Sequence, residues 1–416
     1  MQAARVERAC ALRKRTEMKV VVVSGYYSAG MGYAENCLPK ALAALGHEVH
    51  LVTSIYNVYG TSAEYDKTYK SFLGPARQNV QRTSIDGYTL HRLNSRTIGR
   101  YMLIKGLVRK VRELAPQVVH CMEIASVQAF ALAAARPFLR FKYFTETHQH
   151  MSVVKPYIQA PTGHAFQKAA YRLTRTLPAS LSSRAIEKCY AIAPDCVQVA
   201  HRFYGVPLEK IKLQSLGTDT DLFRPATTPP ELLRRQEMRR SLGLSDTDIV
   251  CVYSGRLSAE KNPLVLAKAI DALAAADARF HAVFIGEGLQ KDAILACRNT
   301  RILPFVTYSE LAEYYRMADI AVWPRQESMS MLDAAACALP IVVSDKMGES
   351  ERVKGNGRVY KENDLEDLAR VLATLTSPAD RAALGARGRE KMEANFSWKS
   401  VARAITADYA AAGVPT

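Results

Sequence analysis

Short β-branched runs alternate with helix-periodic stretches along the whole chain, and the alternation stops once and starts again. Lys19–Ser24 (KVVVVS) is apolar almost throughout, which reads as a strand buried on both faces. A helical stretch, Ala34–Leu45, follows, and then a strand, Glu48–Ser54, after a turn at Gly46. Gln117–Cys121, Tyr143–Thr147 and Cys189–Ala193 read as further strands with helices between them. Residues 55–93 are less regular and read as a loop and a hairpin, whose Tyr56, Tyr59, Tyr65 and Tyr69 suit packing as well as function.

The break comes at Gly217–Glu231 (GTDTDLFRPATTPPE), where four Thr, three Pro and no apolar period describe a linker. Beyond it the spacing predicts strands at Ile249–Ser254, Ala282–Ile285, Ile302–Val306, Ile320–Trp323 and Ile341–Ser344. Helices fall between them at Asn262–Ala275, Leu289–Cys297, Ser309–Met317 and Met331–Cys337, and Pro378–Ala412 reads as helical. Strands joined through crossover helices form parallel sheets covered on both faces. The expected architecture is α/β, with two Rossmann-like doubly wound domains facing each other across a cleft. Residues 1–17 would be a disordered basic leader, 18–216 the first domain with 397–416 completing it, and 217–396 the second.

Charge separates the halves. Residues 1–200 hold 27 basic and 12 acidic residues, a balance of +15, and the rest hold 29 and 28, a balance of +1. The cationic half suits an anionic partner, such as a lipid headgroup or a phosphorylated substrate. No nucleic-acid recognition motif accompanies the charge, so nucleic acid is not expected. No apolar run reaches 18 residues, and the start lacks the apolar core of a secretory signal. The eight cysteines are scattered without a CxxC pair, which suits buried thiols in a reducing cytoplasm and argues against structural zinc.

Ligands of doubly wound sheets sit beyond the carboxyl ends of the strands. There the first strand opens into SGYYSAGMGYAE, where Gly25, Gly30 and Gly32 permit either close ligand approach or a tight turn. In the second half, SGRLSAEKN sets Arg256 and Lys261 just past a strand, a pair suited to a pyrophosphate. FIGEG adds Gly286 and Gly288 at the next strand end. WPRQESMSMLDAAACALPIVVSD puts Glu327 in a loop and Asp333 one turn into a helix, as acceptors for sugar hydroxyls or as helix-capping acids.

In their order, GMGYAENCLPKALAALGHEVHLVTS, LGTDTDLFRP, SGRLSAEKN, FIGEG, VTYSELAEYYRMADIAVWP, ESMSMLDAAACALPIVVSD, GNG and FSW resemble glycosyltransferase family 4, the nucleotide-sugar enzymes of the GT-B fold. The resemblance covers residues 19 to 405 and implies roles for matching positions. Arg256 and Lys261 would hold the donor diphosphate as it leaves. Asp333 would be the second acid of the E-x(7)-E motif, holding the donor ribose, and Glu327 the first, facing the transferred sugar. Here only five residues separate them, the second acid is Asp, and Ala338 replaces the usual Gly of "ACG". His148, in YFTETHQH, would meet the transferred sugar, with His150 as its competitor. Gly30 and Gly32 would face the diphosphate, and Phe305 and Val306 the nucleobase. Gly255, Gly286, Ser330 and Met331 fall on the donor side, Tyr33 and Glu35 on the acceptor side.

The implied reaction is retaining transfer from a nucleoside-diphosphate sugar to a saccharide or lipid-linked acceptor of the cell envelope, with no metal or other cofactor. A GT-B epimerase or phosphorylase, or a non-catalytic binder, would share most of these features. Two stretches, TIGRYMLIKGLVRKVRE and HAFQKAAYRLTRTL, mix cations with apolar residues and are expected as amphipathic helices on an anionic membrane surface. The protein is thus expected to be cytoplasmic, peripheral at the inner face of the cell membrane.

Overall fold

A computed structural model of the protein describes residues 17–99, 101–158, 165–325, 328–347 and 351–415. Residues 1–16 of the basic leader, and Glu327, lie outside the described residues. The chain forms two compact units. One holds the chain through Ala29, Tyr33–Leu216 and the residues from Val401 on, and the other holds Gly30–Gly32 and Gly217–Ser400.

The first unit is built on ten strands: β1 (Lys19–Val23), β2 (Glu48–Ser54), β3 (Gln81–Ile85), β4 (Tyr88–Leu93), β5 (Ser95–Ile98), β6 (Tyr101–Ile104), β7 (Val118–Cys121), β8 (Lys142–Thr147), β9 (Lys188–Ala191) and β10 (Ile211–Leu213). Eight of them make one sheet in the order β10-β9-β8-β7-β1-β2-β4-β3, parallel except for the β3–β4 hairpin at one edge. Val21 pairs with His50 on one side and Val119 on the other. The four consecutive valines of β1 are fully buried, which explains why that segment shows no polar alternation.

β5 and β6 form a separate antiparallel hairpin. This corrects the expectation of a membrane-facing helix over TIGRYMLIKGLVRKVRE. Its first part is strand, only Leu107–Leu114 is helical, and Met102, Ile104, Leu107 and Val111 point into the core. Tyr56 and Tyr65 are buried and Tyr59 stacks on Tyr69 with ring centroids 4.6 Å apart, so these aromatics pack the 55–93 segment.

The second unit is a six-stranded parallel sheet in the order β13-β12-β11-β14-β15-β16, comprising β11 (Ile249–Ser254), β12 (Phe280–Ile285), β13 (Thr300–Leu303), β14 (Ile320–Trp323), β15 (Ile341–Ser344) and β16 (Gly357–Tyr360). β13 is shorter than the spacing predicts, and Phe305 and Val306 lie in the loop beyond it. The helical C-terminal stretch is broken. Pro378–Lys391 runs into a widened turn at Met392–Phe396, and Trp398–Ala411 follows. At the break Thr218 pairs with Ser397, its N–H donating to Phe396 O and its carbonyl accepting from Trp398 N. The LGTDT and FSW motifs are therefore one backbone junction.

The final turns of Trp398–Ala411 belong to the first unit. Asp408 there takes Lys188 and Lys212, both at 2.7 Å, and the Tyr190 hydroxyl at 3.1 Å. This half-buried carboxylate ties the end of the chain to β9 and β10.

Candidate active site

In each unit the topology marks a place for a ligand. Strand order reverses in the first sheet between β1 and β7, and in the second between β11 and β14. Loops leaving adjacent strands in opposite directions open a crevice at such a point.

In the first unit the crevice is a cavity of about 360 Å³, lined by the ends of β1 and β7 and by Glu35, Glu123, His148 and Arg175. Glu35 lies in the first turn of the helix Ala34–Ala44. Burial pushes its carboxyl up to about 7, against the pull of its own backbone N–H and of His148. Glu123 is also raised by burial, and it accepts from Ala125 N at 3.0 Å. Arg175 donates to the Ala125 carbonyl and lies over the Tyr101 ring at 4.9 Å. His148 follows β8 directly, and its Nε2 is 2.7 Å from Glu146 Oε2. Burial opposes its imidazolium, but the bond to Glu146 and the surrounding carboxylates win and raise its pKa.

Glu35 and His148, far apart in the chain, thus meet in one cavity. Tyr33 precedes the helix without capping it by its side chain. Gly30 has φ +74°, so a turn explains that glycine. His150 turns to Asp195, 3.1 Å away, which separates it from the cavity residues. Glu123, Glu146 and Arg175 were missed from the sequence. For Glu146 a signal existed, because positions two apart on an extended chain share a face, and TETH puts a carboxylate two before the histidine.

In the second unit the loop after β11 carries Gly255, Arg256 and Lys261. The Tyr253 hydroxyl donates to Arg256 O at 2.9 Å, and Leu257 N donates to Glu287 O, also at 2.9 Å, so the loop is fixed from both sides. Gly255, Gly286 and Gly288 have φ of +145°, +149° and +156°. A Cβ on Gly286 would meet Gly255 O at 2.0 Å, so this glycine lets the two strand-end loops abut. Among the described residues no acid pairs with Arg256 or Lys261. Burial and the neighbouring Arg256 charge both lower the Lys261 pKa. Two cations held close without a counter-charge among the described residues form a site that favours an anion.

Asp333 is 6% exposed, and its Oδ1 accepts the Thr218 hydroxyl at 2.6 Å. Burial raises its pKa to about 7, against the Thr218 and Tyr308 hydrogen bonds. The carboxyl is thus held by two hydroxyl groups within the second unit. Met331 is buried in the core, so its side chain is packing. Ser330 starts the helix Ser330–Ala336, with its hydroxyl 2.7 Å from that of Ser328. Phe305 is 37% exposed and free to meet a flat ligand.

Two parallel doubly wound units of this kind define the GT-B class. A glycosyltransferase from Rickettsia africae has the same fold, with a TM-score of 0.67 at 16% identity over 94% of this chain and 98% of that one. So does Anabaena HepE, solved in complex with UDP, with a TM-score of 0.63 at 16% identity over 95% of this chain and all of that one, 100%.

Residues 234–391 match the family "Glycosyl transferases group 1", and residues 38–222 match "Glycosyltransferase Family 4". The chain belongs to the group 1 glycosyltransferases. It is 30% identical over 207 residues to a GDP-mannose-dependent monoacylated alpha-(1-6)-phosphatidylinositol monomannoside mannosyltransferase of Corynebacterium glutamicum, covering 46% of this chain and 53% of that protein. It is 27% identical over 248 residues to a D-inositol 3-phosphate glycosyltransferase of Rhodococcus erythropolis, covering 55% of this chain and 54% of that protein. The chain spans about half the length of the curated relatives it matches.

Proposed function

We propose that this protein transfers a sugar, with retention of configuration and without a metal, from a nucleoside-diphosphate sugar to a saccharide or lipid-linked acceptor of the cell envelope. The cation pair Arg256–Lys261, unpaired among the described residues at the carboxyl end of β11, carries the reading. As the glycosidic bond lengthens, negative charge grows on the departing phosphate, and two preorganised cations meet it without reorganisation. An arriving diphosphate also stabilises the charged form of Lys261, which burial and Arg256 disfavour. The named ligand of HepE, UDP, supports the nucleotide class. Phe305 and Val306 are offered to the nucleobase, and Ser330 to the donor. Asp333 and Thr218 hold the frame behind them.

The cavity of the first unit takes the acceptor. Glu35 accepts from an acceptor hydroxyl once ionised, and His148 hydrogen-bonds the transferred sugar. The mannosyltransferase relative, named for a phosphatidylinositol mannoside, supports a lipid-linked acceptor.

We place membrane contact on the helical stretch 165–177, where Phe166 and Leu173 are exposed as the sequence leads us to expect, and on the face of Val127–Leu139 and Leu177–Ala185. Phe138 is 82% exposed there, beside a groove of about 640 Å³ that Arg140, Lys142 and Arg184 border. No described helix is long and apolar enough to cross a membrane.

The test of the reaction is product analysis with labelled UDP-, GDP- and ADP-sugars. One donor gives a retained glycoside, in chelator as well as in added magnesium. An inverted product, or a rate abolished by chelator, contradicts the mechanism.

A further inference from the structure

Glu146 stands between two histidines. Its Oε2 is 2.7 Å from His148 Nε2, and its Oε1 is 2.8 Å from His120 Nε2. On the far side, His120 Nδ1 is 2.6 Å from the Tyr409 hydroxyl. His120 and Tyr409 are fully buried and Glu146 nearly so, and Tyr190 stacks flat on His120 with ring centroids 5.6 Å apart. The hydrogens are therefore determined by the partners. A carboxylate only accepts, so both Nε2 atoms carry protons, and the Tyr409 hydroxyl is the partner of His120 Nδ1. His148 Nδ1 is then the ring nitrogen left for a ligand in the cavity that His148 shares with Glu35 and Glu123.

We propose that Glu146 is a positioning residue for the transfer reaction, fixing His148 in its Nε2–H form with Nδ1 presented to substrate. The constraint reaches back through His120 to Tyr409, so the last helix of the chain supports the reacting site. This rests on the glycosyltransferase reading.

Electrostatics agree with the geometry. Burial opposes the Glu146 charge, yet the two imidazole bonds bring its pKa down to about 2, so it is ionised at every working pH. The charged groups around His148 are Glu146 on its own strand, Glu123 after β7, Glu35 on the helix Ala34–Ala44, and Arg175, which also lines the cavity. A neutral amide at Glu146 removes the strongest support of the imidazolium.

The test begins on the full-length parent, with selective ¹⁵N-histidine NMR. His148 and His120 are expected as Nε2–H when neutral. In Glu146→Gln the His148 titration moves to lower pH, kcat falls about 10- to 100-fold, and the donor KM holds. The pH–rate limb that belongs to His148 moves with it. Glu146→Asp, which keeps the charge, recovers part of kcat. Tyr409→Phe, which removes only the distant hydroxyl, gives a smaller fall.

A parent His148 protonated on Nδ1 when neutral overturns the proposal. So does Glu146→Gln with parental kcat and an unmoved limb. If Glu146→Gln does not fold, the parent tautomer decides alone. If the parent transfers no sugar from any donor, the glycosyltransferase reading fails, and the tautomer and titration still decide the positioning.

Discussion

The Thr218 hydroxyl lies 2.6 Å from Asp333 Oδ1, joining the strand-like LGTDT segment to the start of the helix Ser330–Ala336 inside the second unit. Because the carboxyl is buried, its pKa rises from 3.8 to about 7. The folded state then holds the Asp333 proton more tightly than the unfolded state. Stability is lost as pH rises between those values.

Thr218→Val is close to isosteric and leaves Asp333 one donor short. It is expected to cost about 1–3 kcal/mol, with the larger loss at pH 8, where the carboxyl is ionised. Thermal melts of parent and variant at pH 5 and pH 8 measure this. Equal melting temperatures at pH 8 contradict it.

Glu35 gives a second pH signature. Its pKa is raised by burial from 4.5 to about 7, so its ionisation also opposes folding above that range. Glu35→Gln should gain up to about 3 kcal/mol at pH 8 and nothing at pH 4. In the same variant, the rise of kcat/KM for acceptor through pH 7 disappears. Melting and initial-rate profiles test the two effects separately.

Two backbone positions make opposite predictions. Gly286→Ala puts a Cβ at 2.0 Å from Gly255 O with φ at +149°, and a loss of several kcal/mol is expected, about 2–4. Ala338, where the family pattern has Gly, sits at φ +60°. Ala338→Gly relieves that left-handed strain and should gain about 1 kcal/mol. Denaturant titration reads both, and a stabilising Gly286→Ala or a destabilising Ala338→Gly would be incompatible with these loops.

The sheet strands were legible because both sheets are mainly parallel and buried on two faces, so β1, β7, β11 and β14 are nearly uninterrupted apolar runs. The hairpin β5–β6 was not. Its four-residue strands mix Arg96 and Thr97 with Met102 and Ile104, a pattern that a helix also satisfies. Arg256 and Lys261 were legible as a strand-end pair. The bonds closing Asp333 away from solvent were not, since they depend on Thr218 arriving from 115 residues away. Glu146 was missed although TETH spaces it two before His148, because a buried carboxylate in a strand is usually excluded, and its two imidazole partners, His120 and His148, show why it is tolerated.

Membrane contact is expected on the Phe138 face. Phe138→Ser with Arg140→Glu and Arg184→Glu should reduce sedimentation with phosphatidylglycerol-containing vesicles at low salt, with donor turnover on a soluble acceptor unchanged. Parent protein that stays in the supernatant under those conditions would remove the membrane from the account.

The central claim is that Arg256 and Lys261 receive the donor diphosphate. Calorimetric titration of UDP, GDP and ADP into the parent and into Arg256→Ala/Lys261→Ala tests it most directly. The parent is expected to bind one of the three, and the double variant to bind it at least about 100-fold more weakly at an unchanged melting temperature. Equal affinity in the two proteins would contradict the claim.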